Sequence, residues 1–251
     1  MSHHKLEVKD LHYAYPDGHQ AVSGISFLIR HGESVGIIGA NGAGKSTLLM
    51  LIMGVLFPDR GEVCVGDIPV TKKTLPMIRQ RLGMVFQDPD DQLFMTTVYD
   101  DVAFGPRNYK LDEKEVEKRA LHALDLVGIT DLKDRAPFKL SGGEKRAAAI
   151  ATVLSMQPDV LVLDEPTAAL DPRSRRRVMG LLQGFEHTKI VTSHDLDMIL
   201  EICRRTIVLK NGEVTADGPT REILLNPELM ESCGLELPLA LQNCPVCGTG
   251  K

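Results

Sequence analysis

Gly39-Ala-Asn-Gly-Ala-Gly-Lys-Ser46 is the stretch that decides the fold. It fits the pattern G-x-x-x-x-G-K-[ST], in which glycines let the backbone turn tightly and direct successive N–H groups at a phosphate. The mostly apolar run Ser34–Ile38 precedes it and predicts a buried strand, and a helix pattern follows from Lys45. We expect Lys45 to reach the β- and γ-phosphates and the Ser46 hydroxyl to bind Mg²⁺. The alternative, a glycine-rich turn with an incidental lysine, leaves a cation at the positive end of a helix.

Two carboxylates, Asp164 and Glu165, follow a second apolar run, Val160–Leu163. Parallel strands of an open sheet end at the ligand crevice, so both side chains are expected there. Asp164 is suited to hold the Mg²⁺ shell through water, and Glu165 to act as general base or polariser for an attacking water. A strand that simply exits into solvent through charged residues is the alternative, which the phosphate loop disfavours.

Short β-like runs alternate with helical patterns along most of the chain, which is typical of an α/β fold. Leu6–Tyr15 and Gly24–Arg30 alternate apolar and polar residues, like antiparallel strands with one wet face. Val160–Leu163 and Lys189–Thr192 read as buried parallel strands. The sequence therefore predicts a mainly parallel sheet with an antiparallel β subdomain near the N-terminus and an inserted α-helical subdomain.

Three regions follow from these patterns. They are a nucleotide-binding core of residues 1–89 and 153–225, a helical subdomain of residues 90–152, and a peripheral tail of residues 226–251. Glu113–Val127 carries apolar residues at helical spacing, and no run between residues 90 and 152 reads as a strand. Asn211-Gly212 is a hairpin turn signal. Leu48–Phe57 is too short to span a membrane and reads as a buried core helix.

Composition argues against several classes of partner and location. The 251 residues carry a formal net charge of −5, only 4% aromatic residues and no Trp, so no nucleic-acid partner is expected. The N-terminus lacks an apolar signal region, which predicts a cytosolic chain or one held on a membrane through a partner. Five cysteines without a framework of spacings indicate reduced thiols. Cys244 and Cys247 form a single CxxC, read as a reduced tail, with half of a shared zinc site as the alternative.

Leu140-Ser141-Gly142-Gly143-Glu144 resembles the LSGGQ signature of the ATPase subunits of ABC transporters, with Glu in place of Gln. The resemblance covers about Leu6 to Asn226 and implies a P-loop NTPase core, ATP hydrolysis coupled to transport, and ATP and Mg²⁺ as cofactors. It places Ser141, Gly142 and Gly143 against the ATP of another subunit. Free N–H groups at a helix N-terminus suit that contact. Ser141-x-x-Glu144 is also a capping box, sufficient to start any helix.

Four further residues receive roles from the resemblance. Gln87, after the strand Gly83–Phe86, corresponds to the glutamine that contacts Mg²⁺ and the attacking water. Asp171 closes the Ala168–Asp171 loop that contacts the opposing phosphate loop, and it also reads as a helix N-cap before Pro172. His194 corresponds to the histidine that donates to the γ-phosphate. Tyr15 corresponds to the aromatic residue that stacks on adenine, with Tyr13 as the rival.

The expected site residues fall into three sets. The ATP-binding residues are Tyr15, Gly39, Asn41, Gly42, Ala43, Gly44, Lys45, Ser46, Thr47, Ser141, Gly142, Gly143 and Asp171. The catalytic residues are Lys45, Gln87, Glu165 and His194. The metal ligands are Ser46, Gln87 and Asp164.

The resemblance also predicts partners. The phosphate loop and the signature belong to different ATP sites, so a second ATPase subunit, either an identical copy or a paralogue, must complete each one. Val85–Phe94 and Asp101–Pro106 resemble the ATPase subunits of energy-coupling-factor importers, which work with a membrane coupling protein and a substrate-binding membrane protein. Thr71–Leu75 and Gly234–Pro238 favour the cobalt/nickel branch. This implies a peripheral position on the cytoplasmic face of the cell membrane.

An acidic cluster, Asp88, Asp90 and Asp91, lies beside Gln87. We expect it to receive a basic helix of the membrane partner, and a solvated turn is the alternative. Rival functions are another ABC transporter such as a vitamin importer, a non-transport ABC ATPase, and a regulatory module that does not hydrolyse ATP. Intact Glu165 and His194 argue against the last of these.

Overall fold

The structure is a computed structural model that describes residues 6–242. The strands are β1 (Leu6–Ala14), β2 (Gln20–Ile29), β3 (Ser34–Ile38), β4 (Arg60–Val65), β5 (Ile68–Pro69), β6 (Leu82–Val85), β7 (Val160–Asp164), β8 (Thr188–Thr192), β9 (Arg205–Lys210) and β10 (Glu213–Pro219). The helices are α1 (Lys45–Ile52), α2 (Leu75–Arg81), α3 (Val98–Asn108), α4 (Glu113–Leu126), α5 (Gly142–Leu154), α6 (Pro172–Gly184), α7 (Leu196–Ile202), α8 (Thr220–Leu224) and α9 (Pro227–Ser232). Cys244 and Cys247, predicted as a reduced tail, lie outside the described residues.

The described chain divides into two compact units. Residues 6–78 with 187–242 form the first unit, and residues 79–186 form the second. The second unit contains the helical segment predicted for residues 90–152 together with β6, β7 and α6. The division into a two-segment nucleotide-binding core and a helical lobe stays a prediction.

The first unit contains an antiparallel sheet in the order β2-β1-β4-β5. Leu6 and Val8 of β1 are buried, as the predicted alternation of apolar and polar residues requires. Leu11 is also buried because the register shifts between Val8 and Leu11, where Asp10 takes a φ of 44°. Leu6 pairs with Ile29 of β2 on one side and with Val65 of β4 on the other.

The same unit contains parallel strands, with β3 between β8 and β9. All five residues of β3 and of β8 are buried, as expected for parallel strands covered on both faces. The strand β8 is nevertheless partly polar, since Thr188, Lys189 and Thr192 are buried with Ile190 and Val191. The strand β10 pairs antiparallel with β9. Asn211 and Gly212 join them with φ of 51° and 78°, the conformation that an Asn-Gly hairpin turn requires.

The second unit contains the parallel pair β6 and β7, in which Leu82 faces Val160. Residues 90–152 contain helices and turns and no strand, as the sequence predicts. The helix α4 is capped by the Asp112 carboxylate, which accepts the Glu115 N–H at 3.1 Å. Its buried residues, Val116, Ala120, Ala123 and Leu124, belong to the predicted apolar face.

Two expectations differ from the structure. The helix predicted over Leu48–Phe57 ends at Ile52, because Gly54 takes a left-handed φ of 65° and its position has no room for a Cβ against Val70 and Leu75. The segment predicted as a peripheral tail begins with the helix α9, whose Met230 is 1% exposed and is followed by Cys233 at 3%. Residues 227–233 therefore pack into the first unit.

Candidate nucleotide-binding site

The phosphate loop, residues 39–44, connects β3 to α1 in the first unit. Gly42 and Gly44 have φ of 78° and 98°, which L side chains rarely adopt. A Cβ at Gly44 would meet the Ala21 carbonyl oxygen, and one at Gly39 would meet that of Leu209. The glycines are therefore required by close backbone approach as well as by the turn.

The hairpin turn between β9 and β10 braces this loop. The Gly212 N–H donates to the Ala43 carbonyl at 3.2 Å, and the Gly212 carbonyl accepts the Ser23 N–H at 2.8 Å. Sequence reasoning identified Asn211-Gly212 as a turn and missed its contact with the loop. Because the two segments are far apart in the chain, only the fold brings them together.

Lys45 is the first residue of α1 and is 8% exposed. Its Nζ donates to the carbonyls of Gly39 and Ala40 at 2.8 and 3.1 Å, so the ammonium lies across the loop. Gly44 provides no side-chain cap for α1, and the Ser46 hydroxyl group belongs to an exposed residue. A cation at the positive end of a helix with uncapped N–H groups is a suitable arrangement for an anion such as phosphate.

The two candidate adenine-stacking tyrosines differ in their ties to α1. The Tyr15 hydroxyl is 3.0 Å from Oγ1 of the buried Thr47, two residues beyond Lys45. Tyr13 contacts the Tyr15 ring edge-on, with centroids 5.1 Å apart. Tyr15 is thus the tyrosine that is hydrogen-bonded to the phosphate-loop helix.

His194 is exposed and follows the buried Thr192 and Ser193 after β8. Asp195 caps α7 by accepting the Met198 N–H at 3.0 Å, and its own N–H donates to Ser193 Oγ at 3.0 Å. This strand-to-helix turn holds the His194 backbone while leaving the residue accessible. His194 belongs to the same unit as the phosphate loop.

Asp164 ends β7 in the second unit and Glu165 follows it, at 9% and 8% exposure. Glu165 has a left-handed φ of 47°, which costs a non-glycine residue of the order of 1–3 kcal/mol. Strained conformations of this kind persist where the surrounding structure holds them, often at functional sites.

Gln87 follows β6 and is exposed, and its backbone is anchored by α5. The guanidinium of Arg146, 2% exposed, donates to the Phe86 carbonyl at 2.7 Å and to the Gln87 carbonyl at 2.6 Å. Gln92 adds a second link, since its side chain accepts the Phe86 N–H at 3.1 Å and donates to the Ala149 carbonyl at 2.8 Å. Burial lowers the pKa of Arg146. The sequence did not predict this role for Arg146, because an arginine within a helix is usually exposed to solvent and nothing in the local pattern indicates burial.

The signature segment begins α5 with the predicted capping box between Ser141 and Glu144. Asp171 caps α6, accepting the Ser174 N–H at 3.1 Å and the Ser174 hydroxyl at 2.5 Å, and these bonds lower its pKa. A Cβ at Gly143 would contact Ser174, so the two helices begin close together. A cleft of about 630 Å³ is lined by Ser141, Gly143, Glu144 and Asp171 among others. The structure thus brings the signature segment and the Ala168–Asp171 loop together.

The acidic cluster is partly committed to internal contacts. Asp90 pairs with Lys145 of α5, with Nζ–O distances of 2.6 and 2.8 Å. Asp88 accepts the Asp90 N–H at 2.9 Å and caps the short turn Pro89–Asp91. Asp91 is exposed. A basic partner helix would therefore compete with Lys145 for Asp90.

The residues present are compatible with ATP and Mg²⁺. Hydroxyl, amide and carboxylate oxygens are the hard donors that Mg²⁺ prefers. Among residues 6–242, no group of three or more His, Cys, Asp or Glu side chains could hold a metal ion by itself. Mg²⁺ bound with a nucleotide usually completes its shell with phosphate oxygens and water. Within the same residues, no helix has the length and hydropathy needed to cross a bilayer.

A family model described as ABC transporter matches residues 22–168, more than half of the chain. The chain belongs to the ABC transporter ATP-binding family. The family resemblance, the ABC ATPase fold and the ATP hydrolase class predicted from the sequence are confirmed. The chain is an ATPase subunit of an ABC transporter.

Relatives and solved structures match along nearly the whole chain. A putative ABC transporter ATP-binding protein of Geobacter sulfurreducens is 63% identical over 99% of this chain and 100% of its own length. The energy-coupling factor transporter ATP-binding protein EcfA of Carboxydothermus hydrogenoformans is 45% identical over 94% of this chain and 88% of its own.

Two solved structures share the fold. CbiO1 of Clostridium perfringens, described as part of the ABC transporter complex CbiONQ, is 42% identical with a TM-score of 0.81, covering 90% of this chain and 93% of that one. The dimeric ABC transporter cassette MJ0796 is 30% identical with a TM-score of 0.78, covering 86% of this chain and 99% of that one.

Proposed function

We propose that the chain is the ATPase subunit of an energy-coupling-factor importer for cobalt or nickel. The observation that carries the importer class is the match to CbiO1 of the CbiONQ complex over nine-tenths of both chains. The EcfA relative supports the same class. Cobalt or nickel rests on the resemblance of Thr71–Leu75 and Gly234–Pro238 to that branch.

Each ATP would lie between the phosphate loop of one subunit and the signature segment of another. One chain carries one of each, so two chains form two sites. The MJ0796 cassette, solved as a dimer and also in a post-hydrolysis state with ADP and Pi, supports this arrangement. A dimer of identical chains would have two complete sites, since every proposed catalytic residue is present.

The proposed roles follow from the chemistry of the residues. Lys45 and the loop N–H groups bind the phosphates, while Ser46 and Asp164 provide oxygen donors for Mg²⁺. Glu165 polarises the attacking water, and its strained backbone supports a functional position. In the same site, Gln87 orients the water and His194 donates to the γ-phosphate.

The proposed partners are a membrane coupling protein and a substrate-binding membrane protein, with this chain bound peripherally at the cytoplasmic face. Asp91 is the sharpest probe of the acidic cluster, because Asp90 already pairs with Lys145. Asp91→Lys should reduce transport while basal ATP hydrolysis is retained. Transport at the wild-type rate would show that the acidic cluster is not part of the docking surface.

The deciding experiment reconstitutes the chain with its membrane partners and measures ATP-dependent uptake of Co²⁺, Ni²⁺ and vitamins in parallel. We expect uptake of a metal ion, abolished by Glu165→Gln. Uptake of a vitamin alone would favour the alternative, an ATPase subunit of another ABC importer. Failure to associate with any membrane protein would favour a non-transport ABC ATPase.

A further inference from the structure

The hydroxyl of the signature serine is already engaged within its own helix. Ser141 Oγ donates to Oε2 of Glu144 at 2.8 Å, and the Ser141 N–H donates to the same oxygen at 2.7 Å. The return bond, from the Glu144 N–H to Ser141 Oγ, is longer at 3.4 Å. A hydroxyl has one proton to donate, and here that proton points at a carboxylate.

Glu144 accepts this hydrogen bond as a negatively charged carboxylate. The Ser141 N–H and then the Ser141 hydroxyl keep the pKa of Glu144 below its ordinary value, and Arg135 and Arg177 act in the same direction. Hydrogen bonds to an ionised acceptor are shorter and stronger than those to a neutral one. Glu144 also lines the cleft at the start of α5 and α6, together with Asp171, Arg173 and Arg177.

We propose that Glu144 competes with the γ-phosphate of the partner's ATP for the Ser141 hydroxyl, and so raises the ATP concentration at which the ATP-bound dimer forms. The inference rests on the proposed function, in which the signature segment faces the other subunit's ATP. To donate to a phosphate oxygen, Ser141 must release Glu144, so one anionic acceptor replaces another. The remaining carboxylate charge then lies beside the incoming phosphate and opposes closure.

Glu144→Gln would weaken the competition without removing the helix cap. Gln also completes a capping box, so α5 should start at the same residue. Its amide oxygen is a neutral and weaker acceptor for the Ser141 hydroxyl. Exchanging a charged acceptor for a neutral one changes an equilibrium constant by about fivefold to tenfold for each hydrogen bond.

The test uses the full chain in a Glu165→Gln background, which prevents turnover. The dimer fraction is measured by analytical ultracentrifugation while Mg²⁺ and ATP are titrated. We expect Glu144→Gln to lower the ATP concentration for half-maximal dimer formation by about fivefold to tenfold. Glu117→Gln on α4 removes the same charge from an exposed position and should not shift it. An unshifted titration for Glu144→Gln would overturn the proposal.

A double-mutant cycle separates competition for the hydroxyl from simple charge repulsion. In a Ser141→Ala background there is no hydroxyl to release, so the gain from Glu144→Gln should shrink to the part that charge repulsion alone provides. A gain that persists unchanged would overturn the competition. Binding of ATP to the monomer should be equal in all variants, because the phosphate loop is unaltered.

The outcomes distinguish failure of the proposed role of Glu144 from failure of the proposed dimeric ATP site. If the Glu165→Gln parent and every variant stay monomeric at saturating ATP, the proposed dimeric site fails, and the inference fails with it. If the parent dimerises with ATP and Glu144→Gln does not differ, only the inference fails. Thermal unfolding of Glu144→Gln close to that of the parent checks that the helix cap is preserved.

Discussion

Arg146→Met removes the guanidinium that holds the backbone at Phe86 and Gln87. Two charged hydrogen bonds, to the Phe86 and Gln87 carbonyls at 2.7 and 2.6 Å, are lost. Each is worth about 1.5–3 kcal/mol. Met avoids the desolvation cost of burying a guanidinium, in a residue that is 2% exposed, and this offsets part of the loss. We therefore expect a net loss of about 2 kcal/mol in the free energy of unfolding.

The same change should impair hydrolysis more than ATP binding. Gln87 would lose the anchor of its backbone, so kcat should fall about tenfold while KM for ATP changes little, because the phosphate loop lies on other elements. Arg146→Lys should lower kcat as well, since one ammonium cannot reproduce the planar guanidinium that donates to both carbonyls.

Urea unfolding of the full chain and steady-state ATPase assays measure both effects. Lys118→Met on α4 is the control, because it removes a cation whose side chain is 78% exposed. If Arg146→Met unfolds at the same urea concentration as the control and keeps the wild-type kcat, the Arg146 guanidinium has no role in stability or in positioning Gln87.

Three further predictions concern the two tyrosines, the loop glycines and a buried carboxylate. Tyr15→Ala should raise KM for ATP by about tenfold, as loss of one base-stacking ring does, while Tyr13→Ala should raise it less; the reverse order would reassign the stacking role. Gly44→Ala should destabilise the chain more than Gly42→Ala in urea unfolding. Both glycines have positive φ, but only a Cβ at position 44 would meet a backbone atom, the Ala21 carbonyl oxygen. Equal effects would contradict this close approach. Burial raises the pKa of Asp101 above 3.8, so the folded state keeps its proton to higher pH than the unfolded state, and stability falls as pH rises through that interval. Asp101→Asn should flatten this part of the pH dependence of urea unfolding, and an unchanged slope would exclude Asp101 as its source.

The local elements could be predicted from sequence because each has a short-range cause. The strand Ser34–Ile38 has the predicted bounds, and α1 begins at Lys45 where the glycines end. The end of α1 was placed too late, because the hydrophobic run continues past Gly54 and only the packing of that glycine shows the stop.

The contacts that hold the candidate site depend on residues that are distant in the chain. Gly212 reaches the phosphate loop and Arg146 reaches Gln87 only after the strands and helices have assembled. The choice between Tyr13 and Tyr15 depends similarly on which hydroxyl lies near Thr47. Residue spacing along the chain does not predict these contacts. Sequence patterns therefore predicted the motifs but not the residues that hold them in place.

Complementation between two inactive variants tests the shared ATP site most directly. Lys45→Ala disables the phosphate loop and Ser141→Arg blocks the signature segment, so each variant alone should form no competent site. In a mixed dimer, the intact loop of one chain faces the intact signature of the other, which restores one site. We predict that mixing the two variants recovers up to about a quarter of the wild-type ATPase rate for random pairing. A mixture as inactive as its components would contradict a site built from two chains.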